Sequence, residues 1–140
     1  MAAPYVLALD YGNKRVGVAI AHTVARLPRP LTTLPNSETL LDDIRELAAK
    51  EAAGLVVVGL PRGMDGGYTE QTRAAERFAQ QLAASLQVPV ELADETLTSV
   101  DAEASLAGKS YTKADIDALA AAHILERYLA DHPASEARGV

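Results

Sequence analysis

The sequence predicts an α/β domain with a mixed sheet, because β-rich segments come first and then alternate with amphipathic helices. A hairpin pairs antiparallel, whereas strands separated by helices pair in parallel. The chain has 140 residues, of which 49% are apolar, and this is enough for one hydrophobic core. We expect a single domain over residues 1–130 and a polar, flexible tail over 131–140.

The N-terminal segment has the pattern of a β-hairpin. Two apolar runs, Val6–Leu9 and Val16–Ile20, flank a short turn at residues 12–14 that contains Gly and Asn. The following segment, Leu31–Leu34, has three neighbouring prolines, which sheets tolerate at their edges. The hairpin and this edge strand form the antiparallel part of the predicted sheet.

The first helix is predicted to begin at Ser37 as N-cap, to run to about Ala53 and to end at Gly54. The segment Leu55–Gly59 is apolar throughout, which is typical of a parallel strand that is covered on both faces. A glycine-rich loop over residues 60–68 follows this strand.

A second helix is predicted over Thr69–Leu86 and a further strand over Val88–Ala93, followed by a short helix that begins at Thr98 or Ser99. The last helix is predicted to start at Thr112, with Asp115 three residues later in a pattern close to a capping box. Apolar residues repeat along it at helical spacing, and His123 on that face is expected to be a packed core residue.

Composition excludes several classes of protein. The chain has no cysteine, so it forms neither disulfides nor thiolate metal sites. No apolar run approaches the ~20 residues of a membrane span, and the N-terminus has no secretory signal pattern. We therefore expect a cytoplasmic protein that does not bind membranes.

The charge is unevenly distributed along the chain, whose net charge is −6. Residues 1–37 carry four basic side chains against Asp10 alone, a balance of +3, and the remainder carries nine basic against eighteen acidic residues. A basic edge on an acidic body can hold a phosphate backbone, especially with bound divalent cations. Only 4% of the residues are aromatic, so we do not expect bases to be recognised by stacking.

Acidic residues occur at three places that an α/β topology can bring together. Asp10 ends the first strand, Asp94 and Glu95 follow a later strand, and Asp115 and Asp117 lie near the start of the last helix. If the later strand lies beside the first in parallel, Glu95 emerges near Asp10. Clustered carboxylates of this kind bind Mg²⁺ or Mn²⁺, and two such ions can activate water for phosphodiester cleavage.

Each of these residues also has a purely structural interpretation. Asp10 can accept hydrogen bonds from its own turn, and Asp94 can do the same. Asp115 fits the N3 position of the helix, and Asp117 fits a solvated helix face. Lys14 and Arg15 follow the Asp10 turn, where they are either solvated or in contact with phosphate.

Four segments, in this order and spacing, resemble the YqgF family, which is also called RuvX. They are D-Y-G-N-K-R-V-G-V-A (10–19), V-V-V-G-L-P-R-G-M-D-G (56–66), D-E-T-L-T-S (94–99) and K-A-D-I-D-A-L-A-A-A-H-I-L (113–125). The resemblance covers residues 5–129. Members of this family are described as Holliday junction resolvases and, more often, as pre-16S rRNA nucleases.

The resemblance implies a ribonuclease H-like fold, similar to that of the RuvC resolvase, with a five-stranded mixed sheet. It implies that Asp10, Glu95 and Asp117 are the catalytic, metal-binding residues of a nuclease that uses Mg²⁺ or Mn²⁺. It further implies a cytoplasmic role in maturation of the 5′ end of 16S rRNA. Cleavage of branched DNA by a Holliday junction resolvase is the alternative, and it requires a symmetric homodimer.

The sequence departs from the family pattern at two places. Thr96 stands where the family has arginine, so phosphate contacts are assigned to other basic residues: Lys14, Arg15, Arg62 and Lys113. Gly67 and Tyr68 precede Thr69, where the family has threonine directly after its M-D-G. Two functions of another class stay open, namely a phosphate-binding ATPase-like module, suggested by D-Y-G-N, and a non-catalytic nucleic-acid scaffold.

Overall fold

A five-stranded mixed sheet lies at the centre of the protein, in a computed structural model that describes residues 4–63, 65–95 and 112–132. The strands are β1 (Tyr5–Tyr11), β2 (Arg15–His22), β3 (Arg29–Pro35), β4 (Ala53–Pro61) and β5 (Val90–Glu95). The helices are α1 (Leu40–Lys50), α2 (Glu70–Ser85) and α3 (Lys113–Asp131). The helix predicted after Thr98 or Ser99 and most of the predicted tail lie outside the described residues.

The strands lie in the order β3-β2-β1-β4-β5, antiparallel among β1 to β3 and parallel among β1, β4 and β5. This confirms the predicted mixed sheet with β3 at an edge. The premise that the last strand lies beside the first is wrong, because β4 lies between β1 and β5. Each helical crossover advances the chain to the adjacent strand, so β5 is two strand spacings from β1.

The two faces of the sheet are covered by different helices. Alternate residues of β1 and β2, such as Leu7, Leu9 and Val18, pack with α1 and α2 in one core cluster. The intervening residues, such as Ala8 and Ala19, pack with α3 in a second cluster. Small residues predominate on the strands of this second face, which allows α3 to lie close to the sheet.

The predicted ends of α1 are wrong. The helix begins at Leu40 with Thr39 as N-cap, and the Ser37 hydroxyl hydrogen-bonds to the Thr39 hydroxyl. At the other end the chain turns at Ala52, whose φ of 57° lies in the left-handed region, and Gly54 is already part of β4. Because β4 pairs with β1 from Ala53 onward, the reversal must occur before Gly54.

The predicted starts of the other two helices are confirmed. Thr69 is the N-cap of α2 and forms a capping box with Thr72. Thr112 is the N-cap of α3, where its hydroxyl accepts from the Asp115 amide and the Asp115 carboxylate accepts from the Thr112 amide. In each case the side chain satisfies backbone donors that the first helical turn leaves open.

The buried face of α3 is partly different from the predicted one. Ala121 and Leu125 are fully buried, whereas the side chain of His123 is 26% exposed, with Nδ1 3.7 Å from Oε1 of Glu126. His123 therefore lies at the margin of the core rather than within it.

Within the described part of the chain, no helix is long and apolar enough to cross a membrane.

Helix α3 makes backbone contact with β2 at Gly17. A Cβ atom at this position would lie 1.9 Å from the carbonyl oxygen of Asp117 and 2.9 Å from the amide nitrogen of Ala118. Real Cβ atoms do not approach backbone atoms so closely, so any side chain here would push the helix away. The absence of a side chain at Gly17 thus determines where the first part of α3 lies on the sheet.

We expect Gly17→Ala to lower the free energy of unfolding by about 1–3 kcal/mol, the usual cost of overpacking a close contact. The clash is with the backbone of α3, which cannot rotate away as a side chain can. Urea unfolding followed by circular dichroism measures the change. A midpoint equal to that of the wild type would show that α3 does not rest on Gly17.

Candidate active site

The turn between β1 and β2 is a closed hydrogen-bonded structure. The Gly12 amide donates to the Arg15 carbonyl at 3.0 Å, and a Cβ at Gly12 would lie 2.6 Å from that carbonyl oxygen. Asn36 braces the turn from the end of β3, because its side-chain amide donates to the Gly12 carbonyl at 2.8 Å. The turn therefore holds Arg15 at the start of β2, beside the end of β1.

Asp10 lies on the face of the sheet that α3 covers. It follows Val6 and Ala8 in the alternation of β1, and both of those residues pack in the α3 cluster. Its cross-strand partner is Gly17, the residue on which the backbone of Asp117 rests. Since directly opposed residues share a face, Asp10 lies beside Gly17 on the face where the backbone of Asp117 packs.

Arg15 and Asp117 form an ion pair at this place. Nε of Arg15 donates to Oδ2 of Asp117 at 2.7 Å, and the two side chains are 36% and 27% exposed. Arg15 shares the α3 face of β2 with Gly17, two residues away in the alternation. The ion pair therefore forms where α3 lies close to β2, and it neutralises the carboxylate of Asp117.

Glu95 is the last residue of β5, and its backbone is paired with Pro61 of β4. It lies at the same edge of the sheet as Asp10, two strands away, and follows Glu91 and Ala93 in the strand alternation. The structure does not describe its side chain. Among the side chains that are described, no group of three acidic or histidine residues is close enough to hold a metal ion.

The other acidic residues of the motifs have structural roles. Asp115 completes the capping box of α3, as one of its two interpretations predicted. Asp94 lies inside β5, where Oδ1 is 3.4 Å from Nε of Arg62. The structural alternative for Asp94, a cap or a turn hydrogen bond, involves residues after Glu95 that lie outside the described part of the chain.

The four predicted phosphate contacts differ in their surroundings. Lys14 is exposed at the tip of the hairpin, whereas Arg15 is paired with Asp117. Arg62 donates to the Gly66 carbonyl at 2.9 Å and lies 4.7 Å from the centre of the Tyr68 ring. The structure does not describe the side chain of Lys113. Among the described residues of this set, Lys14 and Arg15 follow the turn that comes after Asp10.

Sequence reasoning missed Thr72 and the cluster formed by Arg62 and Tyr68. Thr72 is fully buried, and its hydroxyl donates to the Pro61 carbonyl at 2.5 Å, which ties α2 to the end of β4. The Tyr68 hydroxyl donates to Glu76 at 3.0 Å, and this carboxylate raises the pKa of Tyr68. The unusual Gly67-Tyr68 insertion before Thr69 was the available signal.

The side chains around Gly17 are of the types that bind a divalent cation and a phosphate ester. Asp10 and Asp117 supply carboxylate oxygens, the donors that divalent cations prefer, on one face at the carboxyl edge of the sheet. Arg15 is the cation present in that place, and its exposed fraction leaves it accessible to an anion. Asp10 and Asp117 are thus of the residue type that binds a divalent metal ion, and Glu95 ends β5, two strands from β1.

The fold is similar to that of solved RuvC structures. The structure of RuvC from Thermus thermophilus matches it with a TM-score of 0.54 over 91% of this chain and 95% of that chain, at 15% identity. The structure of T. thermophilus RuvC in complex with a Holliday junction substrate matches with a TM-score of 0.51. At such low identity the similarity establishes a RuvC-like, ribonuclease H-like fold.

The sequence then identifies the family. The profile of the RuvX family, described as Holliday junction resolvase, matches residues 4–131. A relative from Chloroflexus aggregans, named as a pre-16S rRNA nuclease, is 44% identical over 130 residues, which are 89% of this chain and 92% of that protein. A relative of the same name from Shewanella oneidensis is 36% identical, over 94% and 98% of the two chains. The chain belongs to the RuvX family.

We expect Arg15→Gln to lower the free energy of unfolding by about 0.5–1 kcal/mol at low ionic strength, because it removes the partner of Asp117. Added salt should reduce this difference, since the pair is partly exposed. Lys14→Gln is the matched control, as it removes the same charge from an exposed neighbour. Equal losses in both variants, measured by urea unfolding at two salt concentrations, would contradict an energetic role for the ion pair.

Proposed function

We propose that the protein is a metal-dependent endonuclease that hydrolyses phosphodiester bonds and processes the 5′ end of pre-16S rRNA in the cytoplasm. The observation that supports the proposal is membership of the RuvX family, together with the positions of Asp10 and Asp117 on either side of the α3 contact at Gly17. Relatives that share most of their length with this chain are named as pre-16S rRNA nucleases. Pre-16S rRNA is therefore the proposed substrate.

We assign catalysis to Asp10, Glu95 and Asp117, which would hold Mg²⁺ or Mn²⁺. Nucleases of this family generally use divalent metals. When bound, such ions supply a water of lowered pKa and stabilise the charge on the leaving oxygen. The register of Asp10 with Gly17, and the packing of the Asp117 backbone on Gly17, support this assignment.

Basic residues of the hairpin complete the proposed site. Arg15 neutralises Asp117 in the structure and is exposed enough to donate to a non-bridging phosphate oxygen. Lys14 extends the positive charge to the hairpin tip, and Arg62 and Lys113 lie in the second and fourth motifs. These contacts would hold the phosphate backbone near the carboxylates without reading its sequence.

Cleavage of branched DNA is the second candidate, because the family profile that matches the chain is described as Holliday junction resolvase. Resolution requires two opposed cuts and hence a symmetric dimer with two sites. Competition between a pre-16S rRNA fragment and a four-way DNA junction, each labelled differently, distinguishes the two. Preferential cleavage of the junction by a dimer would replace the rRNA assignment.

We expect Asp10→Asn and Asp117→Asn each to reduce metal-dependent cleavage of a pre-16S rRNA fragment by about 100-fold or more, because each removes a charged metal ligand. The substitutions are isosteric, so circular dichroism should report an unchanged fold. Cleavage should also stop when EDTA replaces Mg²⁺ or Mn²⁺.

Asp115→Asn is the matched control, because it removes a carboxylate two residues from Asp117 on the same helix. Asparagine can still accept the Thr112 amide hydrogen bond, so the helix cap is retained. Wild-type cleavage by Asp115→Asn beside inactive Asp117→Asn would support the assignment. Wild-type cleavage by Asp10→Asn or Asp117→Asn would refute it.

A further inference from the structure

Tyr68 differs from the other aromatic residues that the structure describes because it is exposed, with 48% of its surface accessible. The others are packed against neighbouring rings: Tyr5 on His22, Tyr11 on Phe78, and Tyr128 on His132. An exposed tyrosine in a chain that otherwise packs its rings suggests a surface for a planar ligand.

The ring of Tyr68 is held in one orientation. The guanidinium of Arg62 lies 4.7 Å from the ring centre and covers one face, and the hydroxyl donates to Glu76 of α2. Nearly half of the residue nevertheless remains accessible. A ring fixed at its face and at its hydroxyl loses little conformational entropy when a ligand stacks on the accessible part.

The loop that carries Tyr68 is also internally braced. The Gly63 amide donates to the Gly67 carbonyl at 2.8 Å, and the Gly67 amide donates to the Asp65 carboxylate at 2.8 Å. The buried hydroxyl of Thr72 ties the start of the loop, at Pro61, to α2. The position of Tyr68 is therefore defined by the fold at both ends of the loop.

This loop leaves the sheet at the edge where the proposed site lies. Pro61, at the end of β4, is the register partner of Glu95, and Arg62 forms an ion pair with Asp94. Strands in a sheet lie about 4.8 Å apart, so the end of the β5 backbone is about 10 Å from that of β1. Tyr68 is hydrogen-bonded to α2 and so lies on the α2 side of the sheet, whereas Asp10 lies on the α3 side. A nucleic-acid strand bound at Asp10 would therefore reach Tyr68 by passing over the carboxyl ends of β4 and β5.

We propose that Tyr68, backed by Arg62, is a stacking platform for an unpaired nucleobase of the bound strand, on the α2 side of the carboxyl ends of the strands. This inference rests on the proposed nuclease function and adds a preference for RNA that is single-stranded where it leaves the proposed site. It revises the expectation from composition that bases are not recognised by stacking. Stacking is tolerant of base identity, so the platform selects unpaired nucleotides rather than a sequence.

The test is equilibrium binding of two labelled strands in EDTA, measured by fluorescence anisotropy. One is an oligouridylate of about 10 nucleotides, and the other is an abasic ribose-phosphate strand of equal length and charge. We expect Tyr68→Ala to weaken binding of the oligouridylate by about 5- to 150-fold, the range for losing one stacked base. Binding of the abasic strand should not change.

Two control variants separate stacking from other effects. Tyr68→Phe keeps the ring and loses the Glu76 hydrogen bond, so it should bind the oligouridylate within about twofold of the wild type. Leu27→Ala removes a side chain that is 75% exposed at the opposite end of the sheet, so it should have no effect. An unchanged oligouridylate affinity in Tyr68→Ala, or an equal loss for both strands, would overturn the proposal.

The outcome is independent of the nuclease assay, because binding is measured without metal and without cleavage. A protein that discriminates the two strands through Tyr68 but does not cleave RNA would refute the nuclease function alone. A protein that cleaves RNA with metal, while Tyr68→Ala binds both strands as the wild type does, would refute the stacking platform alone.

Discussion

The arrangement of the site depends on direct backbone contact between α3 and β2 at Gly17. Where most helices rest on a sheet through side chains, the carbonyl of Asp117 occupies the place of a missing Cβ. This contact brings a residue near the end of the chain beside Asp10 near its start. The small residues Ala8, Ala19 and Ala21 on the same face continue this close packing along α3.

The charges around this contact explain how a protein with a negative net charge can bind nucleic acid, which is itself negatively charged. The net charge is −6, yet the site combines Asp10 and Asp117 with Arg15 and Lys14 from the first hairpin. The ion pair lowers the repulsion between carboxylates held on one face. A divalent cation there would compete with Arg15 for Asp117 and leave the guanidinium available to phosphate.

Local features of the fold could be predicted from the sequence because they depend on neighbouring residues. The Gly12 turn and the caps at Thr69 and Thr112 involve hydrogen bonds between residues three positions apart. The end of α1 could not be predicted in the same way. Ala52 takes the left-handed conformation because β4 must begin at Ala53, a tertiary requirement that overrides the preference for glycine.

The candidate site was predictable only as a set of positions. The motifs name Asp10 and Asp117, but the pairing of Asp117 with Arg15 joins residues 102 positions apart through the docking of α3. The position of β5 in the sheet could not be predicted from the sequence pattern either, because alternating strands and helices do not specify which strands become neighbours. Tyr68 carried a signal only as an exception to the family motif, and its contacts with Arg62 and Glu76 required the folded loop.

The most direct test of the central claim is a crystal structure of the protein grown with Mn²⁺, with the ion located by its anomalous scattering. We expect Mn²⁺ to be bound by carboxylate oxygens of Asp10 and Asp117, with the Arg15 guanidinium displaced from Asp117. Mn²⁺ bound elsewhere on the protein, with the bond between Arg15 and Asp117 intact, would contradict it.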